Sequence, residues 1–231
     1  MINDKKLVVI IPAFNEEESL PKVIADIPSF VDEIIVVNNG STDNTIEAAK
    51  SAGATVLTEN EKGYGVACLK AIDYIKDKNY DIVVFIDGDY SDYPEEMDMI
   101  VRPILNNDYA LVIGSRMIGK RQKGAMLPQA IFGNWLSTFL IKVLWNYNFT
   151  DLGPFRAIKY SSLLKLNMQD RNFGWTVEMQ IKAAKQKMKC IEVPVSYRKR
   201  IGESKVTGTL KGTVKASVKI LYLIFVSLFK E

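Results

Sequence analysis

The feature that most limits the fold is a series of short, unbroken apolar runs, each closed by a polar, turn-forming cluster. Leu7–Ile11 stops at Pro12, Glu33–Val37 at Asn38-Asn39-Gly40-Ser41, Asp81–Ile86 at Asp87, and Leu111–Gly114 at Ser115-Arg116. Runs this short and this uniformly apolar read as strands buried on both faces. Ala54–Leu57 adds a further short strand. Between the strands the spacing turns helical. Leu20, Val23, Ile24 and Ile27 share one face of a helix over 17–27, and Gly63–Lys76 reads as a helix entered through glycines. Ser41 or Thr42 is positioned to cap another helix through about Ser51, with Asp43 favourable in its first turn. Strands alternating with helices in this way predict an α/β fold with a doubly wound, mostly parallel sheet. Ligands in such sheets bind beyond the carboxyl ends of the strands. Pro12–Glu17, Asn38–Asp43, Asp87–Asp92 and Gly114–Arg116 all fall at those ends, and the site is expected there.

The second half is less regular. Residues 125–148 form a long apolar helical stretch that includes Phe132, Trp135, Leu136, Phe139, Leu140, Val143 and Leu144. Asp151–Arg156 leads into a strand, a helix follows from about Trp175 to Gln186, Lys189–Val195 reads as a late strand and Lys211–Phe229 as a last helix. With no repeat and no linker, the expectation is one domain over 1–210 with residues 211–231 as a C-terminal amphipathic helical appendage. Its longest apolar run, Ile220–Phe229, is well short of the roughly 20 residues that span a bilayer. Lys211, Lys215 and Lys219 recur on one face, while Val214, Val218 and Leu221 supply apolar surface. A helix so divided lies in a membrane interface, against a second copy of the chain in a homodimer, or on the body of the domain.

Composition narrows the chemistry. Among 231 residues there is no histidine, which removes histidine bases, Ser-His-Asp and Cys-His catalysis, and histidine metal ligands. The two cysteines, Cys68 and Cys190, match no metal or redox spacing, and Met1–Lys6 runs straight into the first strand without a signal peptide. A reduced, cytoplasmic protein is expected. The net charge of +3 hides an asymmetry: residues 182–219 hold 11 Lys/Arg against Glu192 and Glu203, a net +9, which leaves −6 on residues 1–181. A carboxylate-bearing front and an anion-meeting back follow from that split. Nucleic acid is not the expected partner, since the aromatics do not interleave with the basic residues.

Asp87-Gly88-Asp89 closes a strongly β-branched strand. Two carboxylates separated by one small residue converge on a hard divalent cation, Mg²⁺ or Mn²⁺, with phosphate oxygens completing its shell. Such an ion neutralises a diphosphate that gains charge as it departs.

Several motifs then occur in a telling order: Pro12-Ala13-Phe14-Asn15-Glu16, Asn38–Asp43, Lys62-Gly63-Tyr64-Gly65, Asp87-Gly88-Asp89 and Gly114-Ser115-Arg116, continued by Asp151–Arg156, Trp175–Glu178 and Arg200–Lys205. The chain resembles the family 2 glycosyltransferases over about residues 6–210, most closely the dolichyl-phosphate mannose and glucose synthase-like, polyprenyl-phosphate group. The resemblance implies a GT-A fold with a Rossmann-like nucleotide-sugar-binding domain. It also implies a metal-dependent, inverting transfer of a hexose from a UDP- or GDP-sugar to a polyprenyl or dolichyl phosphate, with peripheral contact at the inner membrane face. On that resemblance Pro12, Ala13, Asn15, Glu17, Asn39, Lys62, Gly65, Asp87 and Gly88 border the nucleotide sugar, with Asn39 at the base or ribose where the family commonly has aspartate. Asp87 and Asp89 hold the metal and diphosphate, and Arg116, Arg200, Ser204 and Lys205 take the acceptor phosphate. The chain departs from the group at Gln129-Ala130-Ile131, where related chains often carry arginine. For Asn38 and Asn39, ordinary turn chemistry is the alternative role.

A phosphate acceptor brings its own anionic nucleophile and needs cations more than a base. A hydroxyl acceptor, soluble or on a glycan, needs a carboxylate base, for which Asp151 and Glu178 are the candidates; with Asp89 at the metal and Arg116 at the phosphates they make up the expected catalytic set. For Glu178 the helix start is a sufficient structural explanation, and for Trp175 core packing is. The alternative of another class is a nucleotidyltransferase or a non-catalytic nucleotide-sugar binder. Against it, the segment after the first strand is acidic where a phosphate loop would be glycine-rich and basic.

Overall fold

A computed structural model describes residues 2–202 and 210–229. The first half alternates strand and helix as expected: β1 (Leu7–Ala13), α1 (Leu20–Asp26), β2 (Glu33–Asn38), α2 (Thr45–Ser51), β3 (Thr55–Thr58), α3 (Tyr64–Ile75) and β4 (Ile82–Phe85). A short 3₁₀ turn at Pro94–Glu96 leads to α4 (Met97–Asn107) and β5 (Leu111–Ser115). The second half holds α5 (Pro128–Trp145), β6 (Arg156–Lys159), α6 (Tyr160–Leu166), α7 (Trp175–Lys185), β7 (Cys190–Pro194) and α8 (Leu210–Val226).

Seven strands form one sheet in the order β3-β2-β1-β4-β6-β5-β7. All neighbours run parallel except β6, which is antiparallel to both β4 and β5. The architecture is therefore the expected mostly parallel α/β sheet, and the reversed strand delivers Asp151–Arg156 to the same end as Asp87.

The pleat of β1 explains the layering. Val8 and Ile10 point into a core shared with Cys68 and Ala71 of α3 and Trp175 of α7. Leu7, Val9 and Ile11 point into a second core with Leu20 of α1 and Ile100 of α4. Alternate residues serve opposite faces, and both faces are dry.

Two helices stand where none was expected. In α4 the buried Met97, Ile100, Val101 and Ile104 keep helical spacing across an internal Pro103, a residue that ordinarily argues against a helix. The other, α6, is seven residues long and gains its order from burying Leu163 and Leu166. The start of α2 also differs. It begins at Thr45, and the Ser41 hydroxyl accepts from the Asn15 amide at 3.0 Å instead of capping the helix.

The last helix is docked on the body. α8 packs against α5 and α7, Ile224 is fully buried, and Lys219 meets the Asp170 carboxylate at 2.9 Å.

Candidate active site

At the carboxyl end of the sheet the loops after β1 and β2 are stitched together by short polar side chains. Asn15 adopts a left-handed backbone, φ 56°, and its Oδ1 accepts from the Thr42 amide at 2.8 Å. The Glu17 carboxylate accepts from the Asn44 amide at 2.8 Å, while the Glu17 amide donates to Asp43 at 3.2 Å. The Asn39 side-chain amide donates to the carbonyls of Glu59 (3.1 Å) and Glu61 (2.6 Å), and its oxygen accepts from the Gly63 amide at 2.7 Å. Asn15, Glu17 and Asn39 therefore hold loops. Expected beside the nucleotide, they turn their polar atoms into the scaffold, because each satisfies backbone groups that would otherwise be unpaired.

Gly65 likewise acts inside the structure. A Cβ there would overlap the Asp170 carbonyl, so the glycine lets loop 170–171 close on the start of α3. Lys62, in contrast, is exposed, 5.6 Å above the Phe14 ring. Pro12 and Ala13 end β1, level with Val37 and Asn38 of β2, and Gly88 packs its bare Cα near Ile11 and Leu20.

The carboxylate cluster follows β4. Asp89 is buried, its Oδ1 accepting from the Ser91 amide at 2.9 Å and from the Ser91 hydroxyl. Asp87 accepts from the Tyr64 hydroxyl at 3.1 Å. Burial, reinforced by the Asp89 charge, pushes the Asp87 carboxyl up to about 7. Tyr90, between these acids and Asp92, is held at φ 62°, a left-handed conformation unusual for an aromatic residue. Asp92 is buried with both carboxylate oxygens unpartnered among the described residues, and burial together with Asp87 raises it well above the usual carboxylate range. A crowded acidic pair fits a hard, oxygen-preferring divalent cation at Asp87 and Asp89. Among the described residues no group of three or more Asp, Glu, His or Cys is placed to hold a metal ion by itself.

The opposite wall is built on arginine. Arg116 donates from its backbone amide and Nε to Asp151 Oδ2 at 2.7 and 2.8 Å, and from Nη2 to Oδ1 at 2.7 Å. Burial opposes the charge, yet Asp151 holds the guanidinium well above its ordinary range. Asp151 itself is fully buried, and Glu192 accepts from its amide and from that of Thr150. Arg156, also fully buried, donates to the carbonyls of Leu152, Gly153 and Thr176, and burial lowers it to about 10. Arg198 lies between the rings of Tyr90 and Tyr93, at 3.4 and 4.1 Å, and donates to the Tyr90 and Asp92 carbonyls. Arg200 reaches Asp89 Oδ2 at 3.0 Å and Glu16 Oε1 at 3.2 Å.

The structure thus brings Asp87, Asp89, Arg116, Asp151 and Arg200 to one end of the sheet. It places Glu178 elsewhere. That side chain accepts from the amides of Gln169 and Asp170 and pairs with Lys182 at 2.7 Å, so it is a loop anchor at the start of α7. Trp175 is core, edge-on to Phe85 at 5.8 Å. Ser204 and Lys205 lie outside the described residues. Sequence reasoning assigned no role to Tyr64, Asp92, Arg156 or Arg198. Tyr64, Asp92 and Arg156 fall inside motifs that were recognised, and that position was the available signal. Nothing local distinguishes Arg198 from the lysine and arginine beside it.

Residues 8–166 match the profile described as Glycosyl transferase family 2. The chain belongs to that family. This glycosyltransferase is 33% identical over 210 residues to an uncharacterized glycosyltransferase of Mycobacterium tuberculosis, covering 90% of this chain and 93% of the other. It is 31% identical over 223 residues to a dolichyl-phosphate hexose transferase of Haloferax volcanii, covering 93% of each. Among solved structures it resembles glucosyl-3-phosphoglycerate synthase from Mycobacterium tuberculosis, crystallised with Mn²⁺, UDP-glucose and phosphoglyceric acid. The TM-score is 0.78 at 21% identity, over 98% of this chain and 80% of the other, and what the two share is the GT-A-like fold.

Proposed function

We propose that this glycosyltransferase moves a hexose, with inversion, from a UDP- or GDP-sugar to a polyprenyl phosphate at a membrane surface. One observation carries the acceptor assignment. Asp151 and Glu192, the acids beside Arg116, already accept backbone or guanidinium hydrogen bonds, while Arg116 is held by Asp151 and Arg200 meets Asp89. A site with cations, whose one disengaged carboxylate among these groups is the buried Asp92, suits an acceptor that arrives already anionic.

Mg²⁺ or Mn²⁺ held by Asp87 and Asp89 would supply charge neutralisation at the departing diphosphate. The remaining work belongs to the chain. Ser91 fixes the Asp89 carboxylate and Tyr64 that of Asp87. Asp151 fixes the plane of Arg116, so that this cation is aimed before substrate arrives. Relatives and neighbours support the parts separately: the Haloferax volcanii relative is named for a dolichyl-phosphate acceptor, and the structural neighbour was crystallised with Mn²⁺ and UDP-glucose.

The membrane contact rests on two exposed stripes. Phe132, Trp135, Phe139 and Val143 line the outer face of α5, while Val218, Tyr222, Phe225 and Phe229 repeat the pattern on α8 and its final turn. Residues 121–150 and 210–229 contain no Asp or Glu. Aromatic apolar faces on acid-free helices suit an anionic lipid interface, and no helix among the described residues is long and apolar enough to cross a membrane.

A second reading has its own observation. Asp92, buried and with both oxygens unpartnered, is a base in reserve for a hydroxyl acceptor. Purified protein given Mn²⁺, labelled UDP- or GDP-hexose and either a short prenyl phosphate or soluble hydroxyl acceptors separates the two. Label is expected in the organic phase, and Asp89→Ala should lower it by about a hundred- to a thousandfold, the scale of losing a major electrostatic stabiliser. Label only in water-soluble product would assign the hydroxyl reading.

A further inference from the structure

Segment 195–201 crosses the mouth of the site as a strap. The Tyr197 amide donates to the Lys120 carbonyl at 2.8 Å, the Arg198 amide to the Ser91 carbonyl at 2.9 Å, and the Ile201 amide to the Asp89 carbonyl at 3.0 Å. The Arg198 side chain, clasped by Tyr90 and Tyr93, rivets the strap to the loop that carries Asp89. From this strap Arg200 hangs inward. Its Nη1 meets Asp89 Oδ2 and its Nη2 meets Glu16 Oε1, while its buried Nε has no hydrogen-bond partner among the described residues.

The consequence lies in Asp89. Ser91 already uses Oδ1 twice, so Oδ2 is the oxygen that Asp89 can offer a cation, and it is the oxygen Arg200 covers. A guanidinium and a divalent ion cannot both sit on one carboxylate oxygen without strong like-charge repulsion. We propose that Arg200 is a placeholder cation: it neutralises Asp89 until donor and metal arrive, is then displaced, and in its displaced position becomes the anion-binding group for the acceptor phosphate. This rests on the metal-dependent transfer described above and adds an order to it. Donor loading creates the acceptor site, because the cation that receives the acceptor is released by the donor. The unpartnered Nε leaves that edge of the fork available to a phosphate oxygen. Arg200 is therefore a positioning residue toward the metal site as well as a contact for the acceptor.

Manganese binding, read by the loss of free-ion paramagnetic resonance, tests this without turnover. Arg200→Gln should bind Mn²⁺ about tenfold more tightly than wild type in the absence of nucleotide, as expected if the uncovered form of Asp89 is a minor population in wild type. The same variant should bind a short prenyl phosphate more weakly in the presence of Mn²⁺ and UDP. Equal or weaker Mn²⁺ binding by a variant whose melting curve shows it folded overturns the proposal. Should the variant not fold, wild type carries the test. A short prenyl phosphate should bind at least about tenfold more tightly once Mn²⁺ and UDP are present, and equal affinity with and without them overturns the proposal. Failure of wild type to bind Mn²⁺ even with UDP would instead overturn the metal-dependent transfer on which the proposal stands.

Discussion

The two walls of the cleft hold their shape by different physics. On the side of β1 to β3 the loops are held mostly by hydrogen bonds of short neutral side chains, Asn15 with Thr42, Ser41 with Asn15 and Asn39 with the 59–63 turn, beside the Glu17 and Asp43 carboxylates, which accept from backbone amides. On the side of β5 and β6 they are held by buried charges, Arg116 with Asp151 and Arg156 with three backbone carbonyls. The first wall is anchored by the kind of side chain that makes turns anywhere. The second is anchored by charges that are costly to bury and much costlier to leave alone. The first wall can thus be rigid without a field of its own, whereas the second keeps its cations aimed by keeping them paired.

The largest expected effect tests the charged wall. Asp151→Asn is nearly isosteric, yet it leaves the Arg116 side chain, 12% exposed, without its countercharge. Breaking a buried pair from one side costs about 3–5 kcal/mol. Ser41→Ala, its counterpart on the neutral wall, should cost about 1 kcal/mol. Denaturant unfolding of both variants measures the difference. If Asp151→Asn cost no more than Ser41→Ala, the contrast between the walls would be gone.

The same contrast explains what was legible in the sequence. Strands β1, β2, β4 and β5 announce themselves because buried parallel strands are unbroken apolar runs, and Asp87 and Asp89 are visible because they end one of them. The reversal of β6 was not legible. Arg156–Lys159 is a four-residue strand whose direction is set by which strands it pairs with, information that lies in β4 and β5. For the same reason Arg156 could not be read as a fully buried cation, since the Thr176 carbonyl joins those of the nearby Leu152 and Gly153 only after folding. On the neutral wall the failure was of another kind. Residues 15, 17 and 39 lie in the loops after β1 and β2, where the motifs put them, but a motif gives a position, not a side-chain direction. The structure points these polar atoms at backbone groups a few ångströms away. Helix α4 was hidden by Pro103, and α6 by its length.

The next effect concerns Asp87, between the two walls. Burial, and after it the Asp89 charge, push its folded carboxyl up to about 7 from an ordinary 3.8. Between about pH 4 and 7 the folded state therefore binds more protons than the unfolded state, so this group's contribution to stability falls as pH rises and levels off above 7. At about 1.4 kcal/mol per pH unit, with the titration shared by neighbouring acids, the loss between pH 4.5 and 7.5 is about 2–3 kcal/mol. Asp87→Asn should lack it. Unfolding free energies of both proteins in chelator at the two pH values give the comparison. A wild-type curve parallel to that of Asp87→Asn would mean that the carboxyl is not perturbed by burial and by Asp89.

The smallest effect separates position from direction on the neutral wall. Asn39→Asp keeps the acceptor for the Gly63 amide but loses both donors, and it sets a carboxylate against the Glu59 and Glu61 carbonyls. Leaving those buried groups unsatisfied should cost about 1–3 kcal/mol. If Asn39 acts on the 59–63 turn alone, donor KM should change little once the variant is folded, because the nucleotide never meets the altered atoms. If the side chain instead faces the base or ribose, donor KM should change selectively between uridine and guanosine sugars while stability barely moves. The two outcomes exclude one another, since one amide group cannot both hold the turn with all of its polar atoms and present them to a ligand.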